Sequence, residues 1–425
     1  MQQIASQNAP SPSLVVPHFV IGALAWLATC IMILLFPDAF MQHFFNPVLL
    51  SITHLMALGF ISIIIYGALY QLVPVILEVR IFNEFIGKVS MYLQIIGTVL
   101  LCITFWNLQF GMLFHFSVLF LILAVLLFAV NIFITAASST TRNIEKSFIR
   151  TAVLWLVFTV LLGILLAYNL KNPFFKVSHL ELLKLHAHAG LIGWFLMLIM
   201  GVATRLLPMF LLSHNLSTKS LKFTYYLVNF ALVSGMVFGY FQWKNAILIS
   251  VLFGLTGIVI FLLFLVKAYK TRMKKKLDIG MRQTFVAFIF FVLPLILLII
   301  ILFGSKYLGS LNVPSGLAYG TTIFIGFITS LILGQTYKTL PFIVWLHRYK
   351  DKAGKESIPF PKDLYSTKMA VIQLWTFVPG FTLFFLAIFF KNESIFQAGA
   401  ALMLVSALVY NYNVLKIIFH QPKQS

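Results

Sequence analysis

Four histidines stand inside long apolar stretches of this sequence: His54, His115, His186 and His188. If those stretches cross a lipid bilayer, an imidazole there is costly. Such side chains usually face a bundle interior and mark function. Reading helices from the apolar runs places all four in the outer third of the bilayer, a few residues into the second, fourth and sixth helices. His186 and His188 are two apart, about 200° around a regular helix, so they serve different faces. Paired neutral imidazoles from different helices suit haem iron or copper, and burial disfavours the competing imidazolium. Two imidazoles on one haem iron leave no position open for substrate, which points to electron transfer. The alternative is hydrogen bonding between helices, the more natural reading for His115 taken alone.

The remaining histidines carry less. His179 stands beside Glu181 in an outer connection, His43 lies in the first outer loop, and His214, His347 and His420 lie at helix ends among basic residues. His18 follows Pro17 at the start of the first helix, where it could cap or bind. Cys30 and Cys102 lie in apolar runs without ligand spacing and read as packing residues. The sequence has no phosphate-binding Gly-Lys-Ser/Thr loop, no Cys-x-x-Cys, no Cys-x-x-Cys-His and no His-Glu-x-x-His.

The elements that must hold these side chains follow from composition. Of 425 residues, 61% are hydrophobic and 9% charged, against about 25% charged in a soluble domain. So little charge cannot cover a water-facing surface, and the solvent is lipid. Twelve helices are expected, near 17–36, 47–76, 88–106, 109–136, 148–169, 183–212, 222–241, 245–267, 283–304, 315–345, 366–390 and 394–419, each long enough to span. The net charge of +20 would suggest nucleic acid in a soluble protein. Here the cations sit in short runs between apolar stretches, and their distribution orients the chain. With the N-terminus inside, the outer side holds only Lys171, Lys176, Lys184, Lys244, Lys306 and Lys391. The rest fall almost entirely inside, so both termini and the basic loops 267–282 and 347–368 are expected to be cytoplasmic. Residues 1–16 carry no Lys or Arg, so the first helix is expected to serve as its own targeting signal.

A repeat runs through the second, sixth and tenth helices. The second reads His54-Leu-Met-Ala-Leu-Gly59, then Gly67, Gln71 and Pro74. The sixth reads His188-Ala-Gly-Leu-Ile-Gly193, then Gly201, Arg205 and Pro208. The tenth reads Thr321-Thr-Ile-Phe-Ile-Gly326, then Gly334, Lys338 and Pro341. The copies start at 54, 188 and 321, giving spacings of 134 and 133 residues. Small residues at fixed spacing let helices approach closely in lipid. The expected architecture is a single all-α membrane domain over 1–425, made of three pseudo-symmetric four-helix repeats near 17–136, 148–267 and 283–419. His54 and His188 occupy one repeat position, so pseudo-symmetry aims both at a shared space. Gln71, Arg205 and Lys338 share another, roughly 25 Å further along the helix, and are expected to snorkel to the cytoplasmic interface.

Twelve helices in three arcs, with histidines on the helices that begin the same arc position, resemble the catalytic subunit of haem–copper oxidases. In that family the matching helices carry ligands to a low-spin haem, a high-spin haem and copper. By that resemblance His54 stands for a low-spin haem ligand, and His186 or His188 for a copper ligand. The departures are specific. The family's tenth helix carries a His-x-His pair, where this chain has Gly320-Thr321-Thr322, and residues 222–241 contain none of its adjacent copper-binding histidines. A complete oxygen-reducing centre is not expected. The short length and the stretches around His54 and His186-Ala-His188 are more similar to the non-oxidase NnrS family. That family's twelve-helix membrane proteins bind haem and copper and are linked to nitric oxide metabolism.

The resemblance implies haem b, with copper as a second candidate, in a bacterial inner membrane. It also implies a role in electron transfer or in a response to nitric oxide or oxygen, with a respiratory or electron-donor partner. His54, His186 and His188 are the candidate cofactor-binding residues, and with His115 the candidate metal ligands. A rival reading is a permease or copper-delivery protein that passes a solute along the same histidines, and a third is a structural partner of a respiratory complex.

Overall fold

The computed structural model describes residues 8–214, 216–352 and 357–420. The two chain ends, and part of the loop 347–368, lie outside the described residues. The chain is an all-α, multi-pass integral membrane protein with twelve helices long and apolar enough to cross a bilayer. They are α1 (Pro12–Leu35), α2 (Pro47–Leu77), α3 (Glu84–Asn107), α4 (Met112–Ser138), α5 (Ile144–Lys171), α6 (His179–Leu211), α7 (Lys219–Tyr240), α8 (Lys244–Lys270), α9 (Ile279–Gly304), α10 (Gly309–Lys352), α11 (Thr367–Phe390) and α12 (Glu393–Ile418). α5 and α9 begin a turn earlier than their apolar runs, and a side chain caps each of them, as one also caps α12. Asn143 accepts from the Lys146 N–H, Asp278 from Met281, and Asn392 from Ile395. Each cap satisfies a helix N–H that the chain alone leaves open. Within α9 the regular helix is interrupted at Phe291, three residues before Pro294, whose ring nitrogen cannot donate to the preceding turn.

Lipid-facing stripes are legible residue by residue. On α3 the exposed apolar side chains include Tyr92, Ile96, Val99 and Ile103, which share one helix face. On α4 they include Leu119, Leu123, Leu126, Val130 and Ile134. The opposite faces join through small polar groups. Ser90 donates to the Ala124 carbonyl, Ser117 to Gly97, and Asn411 to Ala23. α2, α6 and α10 are the most enclosed. Their apolar windows are 61%, 72% and 72% buried, against 50% at most for the other nine.

The chain forms two compact units. One contains Leu72–Ser90 and Val118–Lys276; the other contains Pro10–Gln71, Met91–Ser117 and the chain from Leu277 on. In the first, α7 and α8 pair as a hairpin and α5 packs on α6. In the second, α11 and α12 pair, α1 packs on α12 and α2, and α9 packs on α10.

In each enclosed helix the second glycine of the sequence repeat meets the helix before it in the same way. A Cβ on Gly67 would lie 2.5 Å from the His18 Cβ and 3.2 Å from the Val15 carbonyl. On Gly201 it would meet the Phe148 Cβ at 2.6 Å and the Glu145 carbonyl at 3.6 Å. On Gly334 it would meet the Gly280 carbonyl at 2.7 Å and the Gln283 Cβ at 3.2 Å. Each time a side-chain stem and the carbonyl three residues earlier sit on the glycine. Gly334→Val forces a side chain against backbone that cannot swing aside. It should destabilise the protein by about 1–3 kcal/mol or more, read as a lower midpoint for thermal loss of monodisperse protein in detergent. Gly111→Ala, with nothing within 4 Å of the new Cβ, should leave that midpoint in place.

The helix ends also recur. α2 and α6 both end in a left-handed residue, Glu78 at φ 57° and Leu212 at φ 53°. The next N–H reaches back to the proline carbonyl, Val79 to Pro74 at 3.2 Å and Ser213 to Pro208 at 2.9 Å. This closure satisfies the last carbonyls of the helix. α10 instead runs through Pro341 to Tyr349 before tightening, so the shared proline ends two of the three helices and not the third.

Candidate functional site: two histidines at the start of π-helical turns

Asn46 fixes where α2 begins. Its side-chain oxygen accepts from Leu49 N–H at 2.9 Å, while its amide donates to the carbonyls of Ala39 and His43. Pro47 follows at the first helical position, where its missing N–H costs nothing. From this start the regular helix runs to His54, and then the backbone widens into a π-helix over Leu55–Ser62. α6 is regular over His179–His188 and then π-helical over Ala189–Leu196. α10 is regular over Asn312–Thr321 and then π-helical over Thr322–Thr329. The three π segments start at 55, 189 and 322, with His54, His188 and Thr321 as the residues just before them. Segments of this kind are rare and concentrate at functional sites.

The two histidines are held alike. His54 Nδ1 lies 2.8 Å from the Leu50 carbonyl, and His188 Nδ1 lies 2.8 Å from the Lys184 carbonyl. A carbonyl can only accept, so Nδ1 carries the proton in both rings. Nε2 of the neutral ring then holds the lone pair. A metal-ligating imidazole is commonly oriented this way, its other nitrogen donating to a carbonyl that fixes tautomer and direction. Both residues are half-buried, unlike most of the surrounding π-helical side chains. The His54 ring packs at 4.8 Å on Phe105 of α3. Below it Ser51 and Cys102 bond reciprocally, the hydroxyl to the Cys102 carbonyl at 3.0 Å and the thiol to the Ser51 carbonyl at 3.5 Å. Cys102 is thus a packing residue that ties α3 to α2 near His54.

His186 is turned the other way. Its Nδ1 donates to the Thr159 carbonyl of α5 at 3.1 Å. Its ring lies on Gly163, where a Cβ would come within 2.7 Å of the imidazole. It joins α6 to α5, and His188 is left as the histidine of this pair with a locally held ring. His115 is exposed on α4 beside Leu113, Phe116 and Leu119. The expectation that it faces the bundle interior is therefore corrected: Phe114 and Ser117 carry that face.

The sequence left His18 open between capping and binding, and the structure places it in the core. It is fully buried, donates from Nδ1 to the Leu14 carbonyl at 2.7 Å, and keeps Nε2 buried without a hydrogen-bond partner. Its ring lies edge-on to Tyr70 at 5.6 Å. The available signal was Gly67, whose missing side chain leaves room for the His18 stem. The shared position of Gln71, Arg205 and Lys338 also splits. Arg205 is exposed, as a snorkelling side chain should be. Gln71 is buried, and Lys338 pairs with Asp278 at 2.7 Å, its side chain only 18% exposed. The Asp278 that caps α9 thereby also neutralises α10. At the far end Arg348 donates to the carbonyls of Ile418 and His420, and Tyr349 bonds the His420 ring. Burial, with Arg348 and Lys416 nearby, holds the His420 imidazole below its usual range. His420 is thus part of a clamp on the end of α12.

Among the described residues, no three His, Cys, Asp or Glu side chains converge as a metal site. The donors on offer are single, oriented imidazoles. One such donor per metal face fits axial ligation of haem iron, whereas a copper ion held by protein alone needs several donors together. No protein-family model matches the sequence, and no curated protein matches it either.

Proposed function

We propose that this chain is a haem b-binding membrane protein related to the haem–copper oxidase catalytic subunit, with His54 and His188 as axial ligands. One observation carries the reading. At one repeat position in two of the three enclosed helices, an imidazole has Nδ1 pinned to the carbonyl four residues back, so that Nε2 carries the lone pair, just where the helix widens. Bound haem would supply a one-electron iron couple. The chain's own part is to hold each ring in one tautomer and direction and to shield it with apolar neighbours such as Phe105. Thr321, at the third copy of the position, gives its hydroxyl to the Ala318 carbonyl at 3.1 Å, so α10 offers no imidazole there. This set suits electron transfer or a nitric oxide or oxygen response rather than complete oxygen reduction.

Both termini and the basic connections belong, on this reading, to the cytoplasmic side of a bacterial inner membrane. The uneven spread of Lys and Arg supports that orientation. A visible spectrum with metal analysis tests the cofactor. Protein purified after expression with adequate haem supply should show a Soret band, a sharp α-band on reduction, and iron in excess of copper. Copper without haem would instead favour the copper-delivery reading, and a colourless, metal-free preparation would remove haem binding altogether.

A further inference from the structure

His18 of α1 is held as His54 and His188 are, with Nδ1 on the carbonyl four residues back at 2.7 Å. What differs is where its other nitrogen points. The residue is 0% exposed, and Nε2 is buried without a hydrogen-bond partner. Because Nδ1 carries the proton, this buried atom is an acceptor. Haem ligation by His54 and His188 makes no use of it.

Across the contact between α1 and α2 stands an atom of the opposite kind. Gln71 is 3% exposed, and its Nε2, a donor, is also buried without a partner. The two helices run antiparallel here. A Cβ on Gly22 would meet Ile64 and the Phe60 carbonyl, whereas one on Gly67 would meet His18 and the Val15 carbonyl. Gln71 lies one turn beyond Gly67 on the same face of α2. Side chains tilt toward the start of their own helix, so on antiparallel helices these two tilt toward each other. His18 leans along α1 to the level of Leu14, and Gln71 leans back along α2 toward Gly67. Tyr70 is also 0% exposed and closes one side, its ring edge-on to the imidazole at 5.6 Å.

A buried acceptor and a buried donor that lean together without bonding each carry a desolvation cost. Water removes both costs at once, donating to His18 Nε2 and accepting from Gln71 Nε2. A metal cation would satisfy the imidazole but leave the Gln71 N–H facing positive charge. A carboxylate would satisfy the amide but leave the imidazole lone pair facing negative charge. The polarity of the pair therefore selects a small neutral molecule that donates on one side and accepts on the other.

We propose that His18 and Gln71 hold an internal water between α1 and α2, beside Tyr70. The site is independent of haem. The first test is a pair of thermal midpoints for loss of monodisperse full-length protein in detergent. Gln71→Met keeps an unbranched, flexible stem and removes the donor. In the wild-type background it takes a partner from the water and should lower the midpoint. In a His18→Leu background the water has already lost its other partner, so the same substitution should lower the midpoint less, or raise it. A rise in the wild-type background would make Gln71 an unsatisfied amide, and an equal fall in both would make it a packing residue; either overturns the proposal. The second test needs no substitution. Radiolytic hydroxyl-radical labelling, read by mass spectrometry, oxidises side chains that touch bound water. After correction for intrinsic reactivity, His18 and Tyr70 should be modified several-fold faster than Phe19 and Phe60, which are 1% and 0% exposed. Equal rates would overturn the proposal, as would stoichiometric zinc or copper in the wild type that is lost in His18→Leu.

Discussion

His188→Gly protein should lose its haem spectrum or turn high-spin, and added imidazole should restore the original bands. The Nδ1 bond of this ring is to the Lys184 carbonyl of its own helix, whereas that of His186 reaches a neighbouring helix. Removing it leaves the fold with about 1 kcal/mol of glycine penalty and the metal without a ligand. Removing groups one step further from a metal already costs 10–100-fold in affinity, so loss of the ligand should cost at least as much. His54→Gly should behave alike, for the same local geometry on α2. Rescue by imidazole separates a ligand from a structural side chain, because free imidazole cannot rebuild a packing defect. His186→Gly should act differently. It removes the bond to Thr159 that joins α6 to α5, so it should lower thermal stability and should not be rescued. His420→Ala should leave the spectrum unchanged. A full spectrum in the His54 and His188 variants would end the ligand assignment.

Labelling of the basic connections should be nearly all or none. With Cys30 and Cys102 replaced by alanine, a single cysteine at the exposed position 275 should resist a membrane-impermeant maleimide in intact cells and react fully once the membrane is opened. A single cysteine at the exposed Asn172, between α5 and α6, should react in intact cells. The expectation rests on charge. The connection around Lys275 is dense in Lys and Arg, and that around Asn172 holds only Lys171 and Lys176 before the helix resumes. Efficient labelling at 275 from outside would invert the chain.

Much of the architecture was legible because lipid imposes simple rules. Runs of about 20 apolar residues mark spans, and twelve of them matched the twelve helices. What the runs could not show were the first turns. Asn143 with Glu145, and Ser178 with Glu181, look like loop residues but start α5 and α6. The repeat was visible as two glycines eight apart, yet that spacing is equally compatible with an α or a π turn, so the widening after His54 and His188 was not readable. The choice between His186 and His188 also lay outside the sequence. Their angular separation was known, but which face meets a neighbour depends on Gly163, far away in the chain. Lys338 was misread for a similar reason. Seen along its own helix it is a cation near an interface; its partner Asp278 lies on α9 and was legible only as part of a basic loop.

Haem content per chain is the most direct test of the account. Wild-type protein and the variants His54→Ala, His188→Ala and the two combined should be purified in parallel and assayed by pyridine haemochrome against protein concentration, with helix content checked by circular dichroism. The account predicts haem b in the wild type, a reduced or spectrally altered complement in each single variant, and none in the folded double variant. Folded double-variant protein that retains the wild-type haem complement would contradict it.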